Sequence, residues 1–152
     1  MSEDRKHDII TVLNSTNIAF LSTLGKMGPE TSMTPFAIHQ DNILIHLSQL
    51  AKHSKNIAAN PRVSIMVCTP ESSGVSPLAL PRISLQGRAT RVSEKNIAIA
   101  KATYLAKIPD AEPLFSFSDF ELYQFDIHDV YWIGGFGSAR KISLDTWSSW
   151  FC

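Results

Sequence analysis

The chain is poor in the features that mark several large classes of protein. It has two cysteines, Cys68 and Cys152, in 152 residues. That is too few for a disulfide framework, and reduced thiols are the expectation. No apolar run approaches the ~20 residues of a membrane-spanning helix, so no membrane partner is expected. The opening MSEDRKHDII is too acidic and polar for a secretory leader, which makes the cytoplasm the expected compartment. Fourteen basic residues balance fourteen acidic ones. Without a basic excess, no nucleic-acid footprint is expected. His39, His46 and His128 show no metal-ligand spacing with cysteine or acidic partners, and no nucleophile elbow is present.

What is there suits one globular domain over residues 1–152. A hydrophobic fraction of 44% against 18% charged residues supplies a sizeable core. Residues 3–14 read as an amphipathic helix with Ile9, Val12 and Leu13 on one face and Ser2 at its start. Apolar runs at 17–24, 30–38 and 43–47 read as strands joined by a Gly25–Gly28 turn and a Gln40-Asp41-Asn42 turn. A short basic helix at 51–59 ends at Pro61, and 62–68 is a further strand that Cys68 closes. The Ser-, Pro- and Gly-rich stretch 69–81 is a loop. Residues 82–92 alternate, with Ile83, Leu85, Gly87 and Ala89 on the inner face. A helix over 93–107 would bury Ile97, Ala98, Ala102 and Leu105. Strands at 119–127 and 130–133 flank a His128-Asp129 corner. The aromatic tail, with Trp147, Trp150 and Phe151, is expected to dock on core or partner. The sum is a mainly β protein with α additions: a barrel of six to seven mostly antiparallel strands with peripheral helices.

Three segments carry candidate chemistry. In LSQLAKHSKNIAANPRVSIMV, residues 47–67, Lys52, His53 and Lys55 crowd a helix start, with Ser48 and Ser54 beside them. Helix N-termini carry unpaired N–H groups and partial positive charge, which suits a phosphate. In Ser32-Met33-Thr34-Pro35-Phe36, the proline implies a sheet edge or bulge, where free backbone groups can meet a flat heterocycle. In Ile133-Gly134-Gly135-Phe136-Gly137-Ser138-Ala139-Arg140, the glycines permit close backbone approach to a ligand or a second chain, or a tight turn at a barrel corner.

With these segments in this order, the chain resembles the FMN-binding split-barrel superfamily founded on pyridoxamine 5′-phosphate oxidase, over roughly residues 17–140. The Gly-Gly-Phe-Gly segment after Val130-Tyr131-Trp132, with Pro35-Phe36-Ala37 and His53-Ser54-Lys55-Asn56, is similar to the haem-utilisation branch. The resemblance implies a homodimeric split β-barrel with FMN at the subunit interface. Lys52 and His53, with Ser32, Thr34 and Ser48, would hold the phosphate. Met33 to Pro35 would line the ring by their backbone, Gln86 would touch the flavin, and Gly135, Phe136, Gly137 and Arg140 would close the pocket. The implied activity is that of an FMN-dependent oxidoreductase acting on a small molecule. The alternatives are a haem-binding or haem-degrading protein on the same fold, with Asp119 as a candidate haem-site residue, and a flavin-binding module without turnover. Two departures stand out. Ser32 lies where the oxidase family has an arginine, and no histidine follows His128, whereas the haem branch often carries one in its tail.

Overall fold

The computed structural model describes residues 2–151; Cys152 and the side chain of Ser2 lie outside the described set. Eight strands form one antiparallel sheet: β1 (Ile18–Gly25), β2 (Gly28–Pro35), β3 (Ala37–His39), β4 (Asn42–Ser48), β5 (Arg62–Cys68), β6 (Arg82–Arg91), β7 (Phe120–Ile133) and β8 (Ala139–Ile142). The helices are α1 (Ser2–Asn14), α2 (Lys52–Ala59), α3 (Ile97–Lys107) and α4 (Leu144–Phe151), with 3-10 turns at Pro77–Ala79 and Pro109–Ser116. The order across the sheet is β2-β1-β5-β6-β7-β4-β3, with β8 added on β7.

That order curls the sheet. β2 and β3 lie at opposite ends of the path, yet only Phe36 separates them in the chain. The expected single strand over 30–38 is therefore two strands. Pro35 offers no N–H to a ladder, and Phe36 turns inward to full burial while its N–H donates to the Asn17 carbonyl at 3.2 Å. Lys107 Nζ sits 3.5 Å from the Phe36 ring centroid and donates to the Leu13 carbonyl. That contact ties the C-terminal ends of α1 and α3 to the closure. Burial lowers the Lys107 amine to about 8.

The expected corner at His128-Asp129 is a bulge within one 14-residue strand, β7. Gln86 faces Asp129 and Gly87 faces Ile127, which leaves His128 as the extra residue. Gly87 is obligatory there, because a Cβ would collide with the Asp126 carbonyl. The expected inner face of β6 holds: Ile83, Leu85 and Ala89 are buried. So does that of α1, through Ile9, Val12 and Leu13.

The α3 face is a correction. Ala98 and Ala102 are exposed and Ile97 is 36% exposed, while Ala100 and Tyr104 pack inward with Leu44 and Leu122. The helix also begins at Ile97, after a turn at Ser93–Asn96. β8 and α4 were not expected, although the aromatic tail docks as read. Trp147 is buried and its Nε1 donates to the Asp41 carbonyl at 2.8 Å.

A second, smaller core encloses His46. Its ring stacks on Phe115 at 3.8 Å, and Tyr104 and Phe120 complete the surround. Nδ1 has no hydrogen-bond partner. Burial, with the nearby Lys101 charge, lowers this imidazole from 6.5 to about 4. The unfolded chain therefore takes up a proton more readily than the folded one. Stability is expected to fall as pH drops from about 6.5 toward about 4, and His46→Phe should flatten that slope; denaturation midpoints across the interval check it. Phe36→Ala, which empties the closure, is expected to lose about 3–5 kcal/mol of stability in the same assay.

Candidate cofactor site

α2 starts directly after β4, and the Ala51 N-cap provides no side-chain hydrogen bond to the helix. Ser54 is buried, and its Oγ donates to the Ser48 carbonyl at 2.6 Å, anchoring the first helical turn to the strand. Ser48 Oγ donates to Asp119 Oδ2 at 2.7 Å and accepts from the Leu50 N–H. Both hydroxyls expected to face a phosphate are thus engaged within the fold. Asp119 is held here too, its carbonyl accepting from the Gln49 N–H, which makes it a fixture of the β4–β7 junction.

β2, an edge strand as Pro35 implied, presents alternate residues to α2. Ser32 Oγ lies 3.0 Å from His53 Nδ1. Glu30 reaches further: its Oε2 is 2.7 Å from Lys52 Nζ, and its Oε1 accepts from Asn56 Nδ2 at 2.6 Å. Asn56 Nδ2 also contacts Thr23 Oγ1 at 3.0 Å. Gly25 helps to seat this carboxylate, since a Cβ there would stand 2.6 Å from Glu30 Cδ. Thr23, Glu30, Thr31, Ser32, Lys52, His53 and Asn56 line an open cleft of about 520 Å³. The hydrogen bonds from Lys52 and Asn56 hold the Glu30 carboxyl below its ordinary value of 4.5. Partial burial lowers the His53 imidazole.

Of the expected site residues, Ser32, Lys52 and His53 converge here. Thr34 is buried, with its hydroxyl on the Pro35 carbonyl. Met33 points to the opposite face of the sheet and is 56% exposed. Gly135, Phe136 and Gly137 form the β7–β8 hairpin turn, with Gly135 and Gly137 at positive φ. Arg140 follows on β8, opposite Trp132. None of these four lines the Lys52 cleft.

Gln86 lies on the outer face of the sheet in a second cleft of about 660 Å³. There it is joined by Arg62, Arg88, His128, Leu24, Pro29 and Val63. Sequence reasoning missed Glu30 and this second cleft. The β5–β6 register sets Arg62 opposite Arg88, and nothing local in the sequence signals it. Among the described residues no cluster of His, Cys, Asp and Glu is placed to hold a metal by itself, and no helix is long and apolar enough to cross a membrane.

An eight-stranded antiparallel sheet curled by this strand order defines a split barrel, the fold of pyridoxamine-oxidase-like proteins that include the haem-utilisation branch. Residues 8–149 match the family described as CREG, beta-barrel, and the chain belongs to it. It is 35% identical over 138 residues to the chloroplastic heme oxygenase HOZ of Arabidopsis thaliana, covering 87% of this chain and 41% of that one. It is 27% identical over 131 residues to heme oxygenase HutZ of Vibrio cholerae, covering 82% and 73%. A heme binding protein from Mycobacterium smegmatis superposes with a TM-score of 0.86 at 29% identity, over 95% of this chain and 60% of that one. The chain thus spans less than half of the plant relative and less than two thirds of that solved structure.

The Glu30 contacts yield a two-part prediction. The carboxylate's folded value is depressed, so its stabilising contribution is present above 4.5 and is lost as pH falls through the folded value. Glu30→Gln should therefore reduce the acid sensitivity of unfolding below that pH. At neutral pH the same substitution removes a resident negative charge beside Lys52. FMN affinity, read by flavin fluorescence, is expected to rise about tenfold, and adding Lys52→Ala should abolish the gain.

Proposed function

We propose that this protein is a haem-binding split-barrel protein that acts as a homodimer. The observation that carries the reading is Glu30. A phosphate monoester brings about two negative charges, and the place it would take against Lys52 already holds the chain's own carboxylate. FMN would have to displace Glu30 from two hydrogen bonds or bind beside it against charge repulsion. Support for haem comes from the relatives, two of which are named heme oxygenase and one heme binding protein.

The 660 Å³ cleft is of the size that holds cofactors, and two guanidinium groups and an imidazole line it among mostly polar neighbours. Haem, when bound, supplies a redox-active iron; the protein holds it, orients it and keeps water from it. Haem degradation by dioxygen, with electrons from an external reductant, belongs to the same proposal.

The dimer rests on the outer sheet face. Ile18, Phe20, Met33, Met66 and Tyr131 are all substantially exposed there. Phe20 pairs with both Met33 and Met66, so these side chains form one patch across three strands. A contiguous apolar patch on an antiparallel sheet suits a two-fold interface with a second copy. A second reading, an FMN-dependent oxidoreductase or a flavin module, is favoured by the convergence of Ser32, Lys52 and His53.

Absorbance of the purified protein with each cofactor separates the readings. Haem is expected to give a Soret band, with light scattering reporting a dimer. Flavin bands at about 370 and 450 nm, with no Soret band on adding haem, would reverse the assignment.

A further inference from the structure

We propose that the outer face of β5 and β6 carries an oxyanion site that takes a dianionic phosphate group, free or as a monoester on a small molecule. The site is independent of the haem reading, and no haem is needed to fill it.

Two direct cross-strand pairs build it. Arg62 faces Arg88, and Ser64 faces Gln86 two residues along the same ladder. Alternate residues of a strand share a face, and Val63 and Gly87, which lie between them, are buried on the other side. Residues directly opposite stand about 5 Å apart, and alternate residues along a strand about 7 Å apart. Two guanidinium groups, a hydroxyl and an amide therefore stand at the corners of one small patch. Ser22 extends it from β1, as the cross-strand partner of Ser64.

The fold leaves these donors unused. Among the described residues, neither guanidinium has an ion-pair or hydrogen-bond partner, and the side chains of Ser22, Ser64 and Gln86 have none either. Like charges set directly opposite repel one another. The two carboxylates that β7 places beside the patch are engaged. Asp126, opposite Arg88, accepts from Thr90 and Gln124. Asp129, opposite Gln86, pairs with Lys141 at 3.1 Å.

The charge and the lining select the ligand. A phosphate group carries about two negative charges near neutral pH and offers three peripheral acceptor oxygens. It would answer both guanidinium groups with charge-assisted, bidentate contacts and relieve their repulsion. A single carboxylate would answer one of them. Ser22, Ser64 and Gln86 offer hydrogen bonds and little apolar contact, which suits a compact oxyanion. At the start of α2 the same ligand would meet Glu30 already on Lys52; here no carboxylate occupies the arginines.

The test is calorimetric titration of the full chain with inorganic phosphate and with glycerol phosphate at fixed ionic strength. Wild type is expected to bind both, and the tighter probe tells whether the occupant is the free ion or a monoester. Arg62→Gln/Arg88→Gln should weaken binding at least tenfold. Without phosphate and at low salt, that variant should melt no lower than wild type, because the repulsion is gone. Lys52→Gln/His53→Gln should bind like wild type. Succinate, a dianion with its charges on two separate carboxylates, should bind more weakly than phosphate. The proposal is overturned if wild type binds neither phosphate probe, if the arginine variant binds them as tightly, or if succinate binds tighter. Loss of binding in the Lys52/His53 variant would also overturn it, by placing the anion at the start of α2.

Discussion

The architecture depends on a single buried residue that joins the two ends of one sheet. β2 and β3 are as far apart as the strand order allows, and Phe36 alone connects them. A flat sheet cannot satisfy that connection. The sheet curls until its edges meet, and Phe36, fully buried under Lys107, fills the seam. The bulge in β7 serves the same curvature from the far side: one 14-residue strand pairs with β6, β4 and β8 because the ladder is interrupted at His128.

Closure leaves two clefts of different electrostatic character. Where β2 meets α2, the basic helix start faces Glu30 across the seam, and the positive charge is answered within the chain. On the outer face, Arg62 and Arg88 come from neighbouring strands and are answered by nothing among the described residues. Charge that is satisfied internally favours folding; charge left unsatisfied beside an apolar patch favours a ligand. This contrast turns the functional reading from the helix start toward the sheet face.

Much of this was legible in the sequence. The alternation in 82–92 and the apolar run in 62–68 gave β6 and β5 nearly to the residue, because a half-buried strand has period two. The closing glycines were read both as pocket residues and as a tight turn, and a turn is what they form, with Gly135 and Gly137 at positive φ. What escaped was decided at a distance. Glu30 meets Lys52 only because β2 folds over the start of α2. The Arg62–Arg88 pairing is hidden by the long loop between β5 and β6, from which register cannot be counted. α3 shows several apolar faces, and the docking of Tyr104 against Ala37, Leu44 and Leu122 chooses among them. β8 is too short and too polar, at Ala139-Arg140-Lys141-Ile142, to announce itself as a strand.

The account turns on where the porphyrin sits, and the crystal structure of the haem-loaded protein tests that most directly. It is expected to show a two-fold dimer with the haem away from the start of α2 and Glu30 still paired with Lys52. Haem seated against Lys52 and His53, with Glu30 displaced, would contradict it.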